Sequence, residues 1–160
     1  MYENTGNPYQ DSWKMKGTYC LILYCRQAFS ASIGKLGIIN FLAGGYIYTG
    51  SALNSLKKRV ARHLAKEKKI FWHIDYLLEY NHIHLDYIFY LDLPIKNECP
   101  TARLLAERLR ECAGFGSSDC KCRSHLFYFK NKEKQTVFKL LFKAGYRLST
   151  PQEWLIWLFF

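Results

Sequence analysis

Apolar positions fall in runs whose period changes along the chain. Thr18 to Arg26 (TYCLILYCR) is a near-continuous apolar run of strand length and predicts a buried strand. Gln27 to Ser32 is polar and predicts a turn. Residues 33–37 (IGKLG) and 38–42 predict a second extended piece, punctuated by glycine. Ala43, Gly44 and Gly45 then turn the chain into Tyr46 to Gly50, a short strand ending at a glycine. Together these segments predict a meander of short antiparallel strands.

Downstream the period lengthens. Leu53, Leu56, Val60 and Leu64 recur at spacings of three and four, the stripe of an amphipathic helix capped by Asn54 or Ser55. That helix carries Lys57, Lys58, Arg59, Arg62, His63 and Lys66, with Arg59 and His63 one turn apart beside the stripe. Phe71 to Leu78 predicts a short helix, and Leu85 to Leu93 a central strand closed by Pro94. Asn97, Glu98, Cys99, Pro100 and Thr101 open a helix running to about Glu111. It buries Ala102, Leu105, Ala106 and Leu109, and Gly114 and Gly116 stop it. Residues 124–130 (SHLFYFK) predict the last strand. After Lys130 the pattern weakens. Val137, Leu140 and Leu141 suggest one more amphipathic helix, and Ser149 to Glu153 a helix start with Pro151 in its first turn. This tail either packs on the core or forms a partner or membrane-surface patch.

A chain of 160 residues fits one domain with a substantial core. The pattern divides it into a flexible leader (1–15), a main domain (16–130) and a helical extension (131–160). The 23 Lys and Arg against 13 acids give a formal charge of +10, which draws polyanions. Clustering of that charge puts DNA or RNA first among partners. The leader is polar, with Pro8 and Asp11 and no apolar run, so no secretory signal is expected. Six Cys in such a chain predict free or metal-bound thiols in a reducing cytoplasm. No run approaches the ~18 apolar residues of a membrane span.

A tyrosine strand, a glycine turn and a basic helix form a plausible phosphate-binding place. Gly17, Thr18 and Tyr19, then Tyr48, Thr49 and Gly50, then Arg59 and His63, then a glutamate opening a later helix resemble the GIY-YIG nuclease superfamily. The likeness is closer to an archaeal and bacterial subgroup of GIY-YIG-like domains long labelled a domain of unknown function (DUF123-like). Its marks stand at 48–52, 72–77, 98–99 and 114–126, within a likeness covering about 15–130.

The resemblance implies an α/β fold of the α+β type. It would have a small, mostly antiparallel central sheet of about three strands, an extra hairpin and flanking helices. It implies a metal-dependent endonuclease hydrolysing phosphodiester bonds of DNA or RNA, in repair or nucleic-acid processing. Such a reaction needs a cation at the phosphate, an activated water and help for the leaving oxygen. Glu98 is the implied ligand for Mg²⁺ or Mn²⁺, although a glutamate there also complements a helix N-terminus. Tyr19 and Tyr48 would line the site and orient water, or else are core residues of adjacent strands. Arg59 would grip the phosphoryl group. His63 would position water, act as base or bond the phosphate. These five should meet in one cleft. Lys57, Lys58, Arg62, Lys66 and His73 are the candidate nucleic-acid contacts, and His73 and Asp75 are alternatively a structural pair.

Thr18 and Thr49 depart from the commonest motif residues, Ser51 stands where some branches have lysine, and the late asparagine has no clear counterpart. Cys99, Cys120, Cys122 and His125 supply the donor types of a Cys₃His zinc site, with tighter spacing than usual. Small buried thiols are the plainer reading. The rival function is a non-catalytic nucleic-acid-binding module on the same scaffold, zinc-stabilised if the thiols bind metal.

Overall fold

The apolar run at the start of the chain becomes the spine of a sheet. A computed structural model describes residues 14–159, so most of the expected leader lies outside the described residues. Strand β1 (Gly17–Cys25) pairs antiparallel with β4 (Gly44–Ala52) on one side and β5 (Ile83–Leu91) on the other. Beyond β4 lie β7 (Leu126–Phe129) and the two-residue β6 (Arg110–Glu111), and beyond β5 lies β8 (Arg147–Ser149). The described residues thus form a mixed α/β fold around a six-stranded antiparallel sheet, larger than the expected three strands. A separate hairpin joins β2 (Phe29–Ser32) to β3 (Ile38–Phe41), so all of the predicted polar turn at 27–32 beyond its first two residues is strand.

Both faces of the sheet are covered, which explains why β1 does not alternate apolar with polar. Tyr19, Leu21, Leu23 and Cys25 enter one core with helices α1 (Leu56–Leu64) and α2 (His73–Leu78). Cys20 and Ile22 enter the opposite core with α3 (Glu98–Ala106) and α4 (Lys134–Lys143).

Several boundaries move. Strand β4 does not end at Gly50; it continues to Ala52 because Tyr19, Thr18 and Gly17 of β1 pair with Gly50, Ser51 and Ala52. Ser55 caps α1, its hydroxyl accepting from the Lys58 N–H at 3.2 Å. Leu53 therefore precedes the helix and is exposed, while Lys66 lies past its end. Helix α3 stops at Ala106, short of Glu111, since Arg110 and Glu111 are taken up by the edge pairing with β7. Gly114 and Gly116, at φ of 77° and 71°, shape the loop that follows instead of stopping the helix.

The chain after Lys130 is built into the same fold. Strand β8 extends the sheet beside β5, and α5 (Pro151–Phe159) seats Trp154, which is 0% exposed, in the first core. The Trp154 Nε1–H donates to the Lys57 carbonyl at 3.2 Å, tying α5 to α1. No helix among the described residues is long and apolar enough to cross a membrane.

Candidate functional site

Tyr19 on β1 needs a gap in the neighbouring strand. Its partner in the ladder is Gly50, and a Cβ at that position would lie 2.5 Å from the Tyr19 hydroxyl. The absence of a side chain there lets the ring cross β4 and reach α1. There the hydroxyl meets Nε2 of His63 at 2.7 Å. His63 is buried, and burial pulls its pKa down to about 3, opposed by Asp75. It is therefore a neutral imidazole. Its Nδ1 has no hydrogen-bond partner and lies 3.9 Å from Oδ1 of Asp75. The negative carboxylate favours the proton on Nδ1, leaving Nε2 to accept from the tyrosine. Burial pushes both Tyr19 and Tyr48 above the usual phenol range, and Arg59 opposes that shift in each.

Asp75 is enclosed, yet burial does not keep it protonated. Arg62 donates to both of its oxygens at 2.8 Å, and the N–H groups of Trp72 and Phe71 add bonds of 2.9 and 3.0 Å. These donors outweigh burial and hold the carboxyl below its ordinary range. The Trp72 ring packs against two guanidinium groups, those of Arg59 and Arg62, each 4.4 Å from its centroid. Arg59 is further fixed by a 3.1 Å bond from Nη1 to the Ser51 carbonyl. Ser51 and Arg59 thus meet across the strand–helix junction.

These elements enclose a cleft of about 300 Å³, whose walls include Tyr19, Tyr48, Arg59, Trp72, Glu98 and Asp119. Four of the five predicted site residues share this wall. The fifth, His63, stands behind it, against Tyr19. Glu98 enters from the first turn of α3 and is partly exposed. The predicted nucleic-acid contacts divide differently. Lys58 and Lys66 are exposed, whereas Lys57 is buried, 5% exposed, and is no part of an open basic face. Arg62 is engaged by Asp75. His73 accepts from the Gly116 N–H at 2.8 Å, so it pins the 114–125 loop and is not paired with Asp75. Lys96 also lines the cleft, without any periodic signal to mark it in the sequence. The part played by Trp72 was equally hidden, because its ring gains meaning only once α1 lies beside it.

On the far side of Glu98 the four expected metal donors come together. The ligand atoms of Cys99, Cys120, Cys122 and His125 all lie within 4.8 Å of one another. His125 Nε2 is 3.4 Å from Cys120 Sγ and 3.8 Å from Cys99 Sγ. Tetrahedral zinc with ordinary bond lengths separates its ligand atoms by about 3.6–3.8 Å. The cluster can therefore hold a metal ion. Burial, and then the neighbouring thiols of Cys122 and Cys120, push the Cys99 thiol up to about 12. A bound cation would reverse that repulsion.

A family model described as a domain of unknown function, DUF123, matches residues 18–146. The chain belongs to that family. No curated protein and no solved structure matches it significantly.

Proposed function

We propose that the Tyr19–Glu98 cleft hydrolyses phosphodiester bonds of DNA or RNA, the activity that the GIY-YIG resemblance implies. The observation that carries this reading is the convergence of a guanidinium, a carboxylate and a tyrosine backed by a histidine on one polar cleft. Tyr19 and Glu98, 79 residues apart in sequence, meet there. Arg59, braced by Trp72 and Ser51, offers a planar cationic fork to a phosphoryl oxygen. The Tyr19 proton is directed to His63, so the phenol oxygen presents its lone pair to a water in the cleft and orients it for attack. His63, neutral at rest, holds the tyrosine in that attitude. Glu98, with Asp119 in the same wall, offers the hard carboxylate oxygens that Mg²⁺ or Mn²⁺ prefers. When bound, that ion would supply Lewis-acid stabilisation of the phosphorane charge. Lys96 in the cleft wall and the exposed Lys58 and Lys66 would supply screening charge for the polyanion.

Zn²⁺ is the ion proposed for the Cys₃His cluster, on the softness and number of its donors.

The test is a cleavage screen of linear, branched and single-stranded DNA and RNA with Mg²⁺ or Mn²⁺. Glu98→Gln should lose cleavage and keep substrate affinity. A protein that binds nucleic acid with steep salt dependence, cuts no substrate and ignores Glu98→Gln is the non-catalytic module instead.

A further inference from the structure

Two cavities lie on opposite sides of one thin wall. Glu98, Gly116 and Asp119 face the cleft. Cys99 and Cys122 face a second cavity of about 360 Å³, whose rim carries Arg103, Lys121 and Arg123. Glu98 and Cys99 are adjacent in sequence, in the first turn of α3, yet they look in different directions. His125 stands between them. Its Nε2 faces the thiols of Cys99 and Cys120. Its Nδ1 lies 4.0 Å from Oε2 of Glu98, and the ring also bonds the Thr49 backbone beside it. A shift of about 1 Å would make that contact a hydrogen bond.

We propose that a zinc ion in the Cys99–Cys120–Cys122–His125 site is a buttress for the cleft, setting the position of Glu98 through His125. The role given to Glu98 rests on the nuclease reading; the linkage itself does not. Four protein donors close the coordination sphere, so the ion is structural and takes no substrate. One ligand, Cys99, ties the start of α3 to the 117–125 loop. The other, His125, points its second nitrogen at the carboxylate, the arrangement in which an outer carboxylate orients a metal-bound imidazole and raises its basicity. The linkage is mutual: the ion positions Glu98, and Glu98 strengthens the hold of His125 on the ion. His125 is a positioning residue. The second cavity, bordered by Cys99 and Cys122, is the entry path for the ion.

The test uses Co²⁺ as a spectroscopic probe in the reduced, full-length protein. The wild type should show thiolate-to-cobalt charge transfer and the intense visible bands of tetrahedral cobalt. Glu98→Gln should lower cobalt affinity about 10–100-fold and shift the visible bands, the usual effect of losing an outer carboxylate. His125→Cys keeps four donors and should retain a thiolate–cobalt spectrum, now indifferent to Glu98→Gln. Absence of thiolate–cobalt absorption would overturn the proposal. So would a Glu98→Gln variant with unchanged affinity and spectrum, or one whose effect persists in the His125→Cys background. Should His125→Cys fail to fold, Glu98→Gln alone decides. Cleavage is scored separately on zinc-loaded protein. Cobalt linkage without cleavage sinks the nuclease reading and leaves the buttress. Cleavage without linkage does the reverse.

Discussion

The Tyr19 hydroxyl lies 2.7 Å from Nε2 of His63, a bond that joins the first strand of the sheet to the first helix. If that bond orients the phenol oxygen toward water, Tyr19→Phe should cut cleavage by about 10²-fold, the scale of misplacing one reacting group. Substrate affinity at fixed salt should hardly change. Single-turnover cleavage and fluorescence anisotropy on the same variant separate the two effects.

His63 also ties stability to pH. Its folded pKa of about 3 lies below the ordinary histidine value of 6.5, so between these values the unfolded chain binds the extra proton. Stability is full above the unfolded value and falls as the pH drops. The loss should reach roughly 3 kcal/mol near a pH of about 4. Urea midpoints for wild type and His63→Gln across that range should converge as the solution is acidified.

The Arg62–Asp75 pair predicts a purely structural phenotype for a residue on the basic helix. Arg62→Ala leaves a buried carboxylate whose two guanidinium bonds are gone. The fold should lose about 3 kcal/mol, with the cost falling once the carboxylate is protonated in acid. Lys58→Ala and Lys66→Ala should leave stability within about 0.5 kcal/mol and instead flatten the salt dependence of nucleic-acid binding. Parallel urea melts and salt titrations distinguish the two classes.

Gly50 is the space into which Tyr19 projects. In Gly50→Ala the new Cβ would stand 2.5 Å from the hydroxyl, so the ring must move. Overpacking of this kind costs about 1–3 kcal/mol. Cleavage should fall further than stability alone explains, because the displaced phenol no longer meets His63. The Tyr19 ring resonances in an NMR spectrum should shift in step.

Trp154 tests how far the C-terminal segment belongs to the domain. Trp154→Ala removes a fully buried indole and its bond to the Lys57 carbonyl, and should cost about 3–5 kcal/mol. A chain ending at Lys130 should not fold cooperatively, since it also loses β8 and α4. Thermal melts of both forms, followed by circular dichroism, provide the check.

Much of the site was legible because its signals are local. The period of Leu56, Val60 and Leu64 phases Arg59 and His63 on α1, and Ser55 marks where that helix begins. Glu98 is identifiable as the opening residue of a helix by the polar residues and Pro100 around it. The Cys and His donors declare their chemistry by type alone. The same local signals misled where partners decide. Nothing in the charge of Lys57 shows that it will be buried, and nothing in Arg62 shows that Asp75 will claim it.

By itself, then, the sequence determined the side chains of the candidate site, the spine strand β1 and the helix that carries Arg59. It could do so because hydrophobic period and capping act over a few residues. Tertiary structure alone decided that β8 and α5 complete the sheet and core, that Gly50 makes room for Tyr19, and that His63 stands behind the cleft wall. It alone set Glu98 and Cys99 on two sides of one wall, with His125 between them. Those relations depend on strand register and on which side chains bury one another, and such long-range choices leave no periodic trace in the chain.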